Sequence, residues 1–560
     1  MSAAAEAAAG DAAKSAGLER GIDWTGAFWV ASGVPPLVLF SIGGLAATVG
    51  KLSWVIWIAS IVMGFIQSFT YAEIAGLFPN KAGGTSIYGA IAWVRYGKLV
   101  APISVWCNWF AWSPVLATGS TLAAGYILRG LFAPEAAVNT WQLTLLDLGF
   151  IKSGLSLRIN AVFILGAVIL LAVKFIQDGG ILRSANTTKI LGISAMIPLL
   201  LIGIVPILTG DIVKANLLPL APLAHDAAGL VTTGTWNMAG ITLFAAGMFL
   251  AAWSTYGFET AVCYTGEFKD PKTDTFKAIF YSGLLCLVVY TLVPFAFQGY
   301  LGLGSLVHPA VLDAAGHAVT PAVYGGMLAP DIYDGTGVAV VMARMVHAGE
   351  FVGVIVVIML ILALALSLMT SMAGSSRTLY QASLDGWLPR YLAKVNAHGA
   401  PTNAMLTNLA FNFLLLLLSD TVFVIGAANI GYLIFNFLNL NAGWIHRRDR
   451  PRQERPWRAP TWILAAGAIL SFVNLAFMGF GADVYGSGTL LIGLAFAALI
   501  IPVFIYRHYV QDKGVFPPEM ADDLEMVGGE RLVNRAGIWP YVVLIVGIAV
   551  VAVTHHLAVY

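Results

Sequence analysis

The chain has 560 residues, of which 59% are hydrophobic and 11% are charged, whereas ordinary soluble domains contain about 25% charged residues. The formal net charge is +1, so no overall field favours nucleic acid, and we expect no nucleic-acid partner. Cys107, Cys263 and Cys286 lie in apolar segments without paired spacing, which argues against a disulfide framework or a zinc site. This composition predicts an all-α polytopic membrane protein.

The N-terminal segment differs from the rest of the chain. Residues 1–21, MSAAAEAAAGDAAKSAGLERG, are rich in alanine and charge and lack the apolar core of a signal peptide. We therefore predict that residues 1–24 form a disordered cytoplasmic tail and that the first membrane helix directs insertion.

Thirteen apolar segments are long enough to cross a bilayer, which takes about 20 residues in a helix. The ninth and tenth segments are separated only by a short break at 419–420 and could form one bent segment. The thirteenth could be an accessory helix. We therefore predict 12–13 transmembrane helices. The segments are 25–49, 53–77, 99–128, 159–176, 186–209, 238–264, 278–302, 349–372, 402–419, 421–445, 460–481, 487–507 and 537–557.

Lysine and arginine are unevenly distributed between the loops that these segments define. With the N-terminus in the cytoplasm, 24 of the 30 fall on the inner side, as the positive-inside rule requires. We expect a cell-membrane protein whose C-terminus is external if helix thirteen spans. The longest external loop, 303–348, is expected to pack as a lid over an external vestibule.

Two predicted helices are interrupted in the middle. In the first, Gly33 precedes Pro35 and Pro36, which cannot donate backbone hydrogen bonds and disfavour helix in the preceding residue. In the sixth, the polar stretch WSTYGFE at 253–259 interrupts an apolar run. The breaks are five helices apart, so two copies of a five-helix unit would insert in opposite orientations. Interrupted segments at matching positions indicate a transporter's binding site.

The chemistry of a broken helix follows from its free ends. Residues after a break expose N–H groups, which favour a carboxylate, and residues before it expose carbonyls, which favour a cation. Together the two breaks suit a zwitterion such as an amino acid.

Four sequence patches, in order across residues 25–440, resemble the amino acid–polyamine–organocation (APC) family of permeases. That resemblance implies the LeuT-type 5+5 inverted repeat with broken helices 1 and 6. We accordingly divide the chain into a first repeat (25–209), a second repeat (210–445) and accessory helices 11–13 (446–560). The patches are ASGVP (31–35), YAEIAGLFPNKAGGTSIYGA (71–90), WSTYGFETAVCYTGEFKDPKTDTFKAI (253–279) and SSRTLYQASLDGWLPRYLAKVNAHGAPTNAM (375–405).

The resemblance implies roles for residues at both breaks. Ser32, Gly33 and Val34 match the helix-one segment whose backbone binds the substrate carboxylate. Trp253 is similar to an aromatic gate of the arginine/agmatine antiporter branch, a role that Tyr256 could fill instead. The helix-six segment that binds the amino group and lines the pocket is matched by Trp253, Ser254, Thr255, Tyr256 and Gly257.

Several further side chains are candidates with open alternatives. Trp109 and Trp112, three residues apart on one helix face, either wall the pocket or pack. Glu259 matches a glutamate proposed as proton-sensitive in the antiporter branch; a buried carboxyl can carry a proton, and a structural role is the alternative. The lysine that serves some proton-driven relatives would fall near Ala195, so that mechanism is not supported. A possible sodium site would use Ser367, Thr370 and Ser371, although hydroxyl residues also pack helices.

These features predict a secondary active transporter that moves amino acids or related amines by alternating access. We expect proton-coupled import of a neutral or aromatic substrate; the alternatives are an amino acid or amine exchanger and a non-transporting sensor. The coupling ion is predicted to be H+, with Na+ as the alternative, and no cofactor or metal is expected. The histidines lie in loops or near helix ends, without a catalytic motif, so we predict no enzyme. The partners are the substrate and the bilayer, and the protein is a monomer or homodimer.

Overall fold

The computed structural model describes residues 18, 20–133, 135–226, 230–312, 318–320, 322–347, 349–527, 530–531 and 533–560. Most of these residues are helical, which confirms the predicted all-α polytopic fold. The predicted tail, residues 1–24, lies largely outside the described residues.

The helices of the first half begin after a side-chain cap at Asp23, whose carboxylate accepts the Gly26 amide at 3.0 Å. They are α1 (Trp24–Ala31), α2 (Val38–Val49), α3 (Ser53–Gly76), α4 (Thr85–Trp93), α5 (Val100–Trp112), α6 (Val115–Leu131), α7 (Ala137–Thr140), α8 (Ala161–Gln177), α9 (Gly180–Thr209) and α10 (Lys214–Leu217). Short 3-10 helices occupy Pro35–Leu37 and Gly50–Leu52.

The second half repeats the pattern of long apolar helices. They are α11 (Met238–Thr255), α12 (Pro271–Leu301), α13 (Pro330–Tyr333), α14 (Val338–Met345), α15 (Gly349–Leu384), α16 (Thr402–Leu416), α17 (Thr421–Asp449), α18 (Thr461–Gly481), α19 (Thr489–Ala498), α20 (Ile500–Ile505), α21 (Pro518–Glu525) and α22 (Trp539–Leu557). 3-10 helices lie at Gly257–Glu267, Gly326–Leu328, Arg390–Ala393 and Ala482–Tyr485, and a π-helix at Tyr506–Gln511.

Strands occur only as two-stranded antiparallel pairs in the described loops. The pairs are β1 (Gln142–Asp147) with β2 (Ser156–Asn160), β3 (Leu223–His225) with β4 (Val231–Thr233), β5 (Leu306–His308) with β8 (Val323–Tyr324), β6 (Val311–Leu312) with β7 (Ala318–Thr320), and β9 (Met526–Val527) with β10 (Glu530–Arg531).

Every predicted span overlaps a helix, but fewer segments reach full membrane length. Within the described residues, nine helical segments have the length and composition to cross a membrane. The stretch Trp24–Gly76 counts as one of them, while Ala161–Gln177 and Thr402–Leu416 are shorter apolar helices. The third predicted helix is split at Ser113 and Pro114 into α5 and α6. These differences reflect breaks and helix lengths rather than missing segments.

Two predicted helix ends are wrong for a shared reason. The seventh helix begins at Pro271, before the predicted 278, and the eighth ends at Leu384 instead of 372. Both extensions contain polar residues; Arg377, for example, is buried and donates to Glu267 at 2.9 Å. Hydropathy alone ends a helix where polarity begins.

The break at 419–420 separates two helices. The Asp420 carboxylate caps α17 by accepting the Phe423 amide at 2.9 Å, and α16 ends at Leu416. In the long loop 303–348, α13 packs against α2, where a side chain at Gly43 would overlap the Ile332 carbonyl. The described part of this loop therefore covers the end of the first broken helix.

Candidate substrate and coupling site

The first break interrupts α-helical structure where the glycine and prolines predict it. α1 ends at Ala31, a 3-10 turn follows at Pro35–Leu37, and α2 begins at Val38. Ser32 stays close to its own helix, because its hydroxyl donates to the Trp29 carbonyl at 2.5 Å. We refer to residues 32–34 as the first break.

Hydroxyl groups of α15 donate to one carbonyl of the first break and to one in the last turn of α1. Ser367 donates to the Gly33 carbonyl at 2.6 Å, and Thr370 donates to the Val30 carbonyl. A side chain at position 33 would collide with Thr370, so only glycine allows this approach. Ser371 donates elsewhere, to the Trp112 carbonyl at 2.8 Å. The three candidate sodium ligands therefore do not converge on one point.

The second break, residues 254–257, contains the end of α11 at Thr255 and the start of the 3-10 helix Gly257–Glu267. Its polar side chains are buried and paired with the first two predicted helices. The Ser254 and Ser41 hydroxyl oxygens are 3.0 Å apart, and those of Thr255 and Ser60 are 2.7 Å apart. The polarity of this stretch therefore fixes the two broken helices and α3 against one another.

A single phenol connects the two breaks. The Tyr290 hydroxyl lies 2.6 Å from the Val34 carbonyl oxygen and 2.9 Å from the Ser254 carbonyl oxygen, and its ring stacks on Trp57. A tyrosine has one hydroxyl hydrogen, so it can donate fully to only one of these carbonyls at a time. No sequence motif marks this role, because Tyr290 stands in an apolar helix.

The candidate aromatic residues point in different directions. Trp253 donates to the Ala111 carbonyl at 3.0 Å, and its ring lies near Phe40. Tyr256 turns away and donates to Asn474 of α18 at 3.0 Å. The second break is thus lined by Trp253 but not by the ring of Tyr256.

The side chains of the two tryptophans of α5 contact different parts of the protein. Trp112 lies against Gly257, where any side chain would meet its ring at 2.5 Å, and donates to the Glu259 carboxylate at 3.0 Å. Trp109 instead donates to Asn408 at 2.5 Å and packs on Phe411. The structure brings Trp112 to the second break and leaves Trp109 against α16.

Glu259 is held by neutral donors. Its side chain is 1% exposed, and its two oxygens accept from Trp112 at 3.0 Å and from Thr85 at 2.8 Å. Among the described residues, no lysine, arginine or histidine forms an ion pair with it. Thr85, the first residue of α4, was not anticipated. A buried carboxyl without a counter-cation is an unusual and costly arrangement.

Two other buried glutamates are paired with cations. Glu267 binds Arg377 of α15, and Glu73 accepts from Arg447 at 2.6 Å and from Arg455 at 3.1 Å. Glu259 differs from both glutamates because no described lysine, arginine or histidine pairs with it.

Lys81 connects the loop after α3 to the end of α15. Its amine lies 2.5 Å from Asp385 and 3.0 Å from Asp523. Burial lowers the pKa of a lysine, but the two carboxylates outweigh this effect, so the pKa of Lys81 lies above its usual value. The amine therefore stays protonated and the connection stays ionic at neutral pH.

A matched pair of substitutions tests which tryptophan serves the carboxyl. Trp112→Phe removes the indole donor to Glu259, and one hydrogen bond is worth about 1 kcal/mol net, so we expect about a fivefold loss of proton-driven uptake. Trp109→Phe removes the donor to Asn408 and should lower thermal stability without changing pH dependence. Uptake against pH, normalised to folded protein, measures the coupling effect, and the melting temperature measures the loss of stability. Equal pH profiles for the two variants would contradict the assignment.

Comparison with known proteins gives the following similarities. The model of the family described as "Amino acid permease" matches residues 22–505. The chain is 25% identical over 452 residues to the branched-chain amino acid permease BcaP of Lactococcus lactis, covering 78% of this chain and 84% of the relative. It is 23% identical over 408 residues to human solute carrier family 7 member 13, covering 73% and 74%. An uncharacterized transporter of Legionella pneumophila is 23% identical over 379 residues, covering 66% of each chain.

Proposed function

This chain belongs to the amino acid permease family and is a secondary transporter rather than an enzyme, and on that premise we propose proton-coupled import of neutral amino acids. The observation that carries the proposal is the meeting of the two breaks at Tyr290, whose hydroxyl lies within 2.9 Å of a carbonyl from each. A substrate ammonium has three donors and is suited to such a pair of carbonyls.

The charges around the breaks support a neutral side chain on the substrate. Among the described contacts of both breaks, Glu259 is the one charged side chain, and both its oxygens are already bonded. The relative BcaP is named for branched-chain amino acids, which agrees with an apolar side chain next to Trp253 and Val34. Related amines are the alternative substrates.

Proton coupling is assigned to Glu259. It is buried, it accepts from two neutral donors, and no cation in the described part of the chain pairs with it. Trp112, which donates to it, also lies against Gly257 of the second break. A carboxyl in this position can take up a proton from one side of the membrane and release it on the other. The exchange of one amino acid or amine for another, without net proton movement, is the alternative mechanism.

Alternating access needs contacts that open and close at the two ends of the site. We assign the ion pairs Arg377–Glu267 and Lys81–Asp385 to the cytoplasmic end, in a cell membrane with the N-terminus inside. The same orientation places the described part of loop 303–348 outside. Single cysteines introduced at the exposed residues Lys272 and Glu350 test this orientation. A membrane-impermeant thiol reagent added to intact cells should label the cysteine at position 350 and not the one at position 272.

Replacement of sodium by potassium is expected to leave the initial rate of uptake unchanged. The hydroxyls of Ser367 and Thr370 already donate to the Gly33 and Val30 carbonyls, and that of Ser371 donates to Trp112, so these three hydroxyls do not form one sodium ligand set. Uptake into proteoliposomes with matched ionic strength and an imposed pH gradient measures this. A sodium requirement for accumulation would contradict proton coupling.

Radiolabelled uptake into proteoliposomes tests the proposed function as a whole. We expect a neutral amino acid to accumulate when the interior is alkaline, and to stop accumulating when the gradient is collapsed. Accumulation only in vesicles preloaded with another amino acid would show exchange. Binding in a thermal-shift screen without any flux would show a sensor instead.

A further inference from the structure

A groove of about 850 Å³ lies between α6, α14 and α15. It shares no lining residue with the two breaks, so it is separate from the proposed substrate site. Its walls are mainly apolar. The principal apolar contributors are Ile127, Leu131, Val340, Val354, Val357 and Ile361.

The groove faces the region that lipid occupies. Val354 and Ile358 are 59% and 50% exposed, although both belong to a membrane-spanning helix. Along α15 the lining runs from Gly349 to Ile361, which corresponds to about 18 Å at 1.5 Å per residue. One leaflet of the hydrocarbon core is about 15 Å deep. The groove is therefore as long as the acyl region of one leaflet.

The rim of the groove carries charge. Arg129 is in the last turn of α6 and Arg344 in the last turn of α14, and both line the groove with His347 and Glu350. Arg129 is 3.7 Å from Asp331, a partly exposed pair. Arg344 forms no ion pair with any described residue. The rim thus has two guanidinium groups and one lining carboxylate, that of Glu350. The two guanidinium groups suit a phosphate, which arginine binds through paired donors.

We propose that this groove binds an anionic phospholipid, with an acyl chain along α15 and the phosphate between Arg129 and Arg344. The proposal rests on the membrane embedding of the chain and not on the identity of its substrate. A lipid in the groove would also contact both α14 and α15. In the same loop, α14 directly follows α13, the helix that packs on α2. The lipid would therefore stabilise the loop that covers the first broken helix.

The binding test uses the purified, delipidated full-length protein in detergent. Native mass spectrometry would compare phosphatidylglycerol with phosphatidylcholine of the same acyl chains, and would use glycerol 3-phosphate as the free headgroup. We expect one phosphatidylglycerol to bind more tightly than phosphatidylcholine, by about fivefold for each arginine engaged. Glycerol 3-phosphate should not compete, because it lacks the chain. A preference for phosphatidylcholine, or competition by the free headgroup, would overturn the proposal.

Substitutions in the groove separate the chain from the phosphate. At Gly353 the nearest atom to an added Cβ is Ala343 Cβ at 3.9 Å, so Gly353→Phe, or Gly353→Leu if the larger variant misfolds, fills the groove and should abolish the bound lipid. Arg344→Gln should lower phosphatidylglycerol binding about fivefold and phosphatidylcholine binding by less, because the choline of that lipid already neutralises its phosphate.

Val168→Phe is the control, because Val168 is exposed on α8 outside the groove. It should bind phosphatidylglycerol as the unmodified protein does. Normal binding by both Gly353 variants, or an unchanged lipid preference in Arg344→Gln, would overturn the assignment. An equal loss of binding in Val168→Phe would do so as well, because it would show a general effect of the lipid-facing surface.

Discussion

Glu259→Gln is expected to abolish accumulation of substrate against its gradient when only a pH gradient drives uptake. Glu259 is buried and is held by Trp112 at 3.0 Å and Thr85 at 2.8 Å, without an ion pair to a described cation. Glutamine has the same shape and keeps an acceptor for the indole, and the threonine hydroxyl can accept from its amide. The substitution therefore preserves the packing and removes only the group that gains and loses a proton.

The measurement is the ratio of internal to external substrate in proteoliposomes with an alkaline interior. Exchange between preloaded and external substrate should persist in Glu259→Gln, since it requires alternating access but no proton. Glu73→Gln provides a control, because Glu73 is equally buried but paired with Arg447 and Arg455. It should lower the yield of folded protein and keep accumulation per folded molecule. Full pH-driven accumulation by Glu259→Gln would rule out the coupling role.

Tyr290→Phe is expected to bind substrate about tenfold more tightly while the empty protein becomes less stable. The phenol now serves the Val34 and Ser254 carbonyls, so a substrate ammonium has to displace it. Without the hydroxyl, the empty protein contains buried carbonyls that lack a donor, which costs about 1–3 kcal/mol. The ammonium relieves that cost on binding, and about 1.4 kcal/mol corresponds to a factor of ten in affinity.

Melting temperatures with and without substrate, together with the apparent KM, measure this effect. The empty variant should melt at a lower temperature, and substrate should raise that temperature further than it does for the unmodified protein. Tyr256→Phe is the matched control, because its hydroxyl donates to the Asn474 side chain and not to a break. It should lose stability at unchanged affinity. Weaker binding by Tyr290→Phe would show that the hydroxyl contacts the substrate instead of competing with it.

Some residues of the candidate site were predictable because they stand out in their local sequence. Gly33 is required because α15 approaches the backbone there, and Gly257 because the Trp112 ring does. In both cases a conspicuous local feature, glycine inside an apolar helix, marks the place where another element comes close. Glu259 was predictable for a similar reason, since a lone acid in an apolar run needs an explanation.

The residues that complete the site had no such local mark. Thr85 stands at the start of α4, Tyr290 stands within α12, and Trp112 differs from Trp109 only by three positions on one helix. Their roles depend on which face of each helix meets which neighbour. The same is true of Ser371, which lies one residue from Thr370 but donates to α5 instead of α1.

The sequence by itself determined the membrane class, the places where the broken helices are interrupted, and the type of site that such interruptions form. These properties depend on hydropathy and on the backbone limits of proline and glycine, which act within a few residues. Only the tertiary structure decided that one tyrosine joins the two breaks, that no described cation pairs with Glu259, and that Trp109 packs against α16. Those outcomes depend on contacts between residues far apart in the chain, such as Trp112 with Glu259, and helix packing sets them.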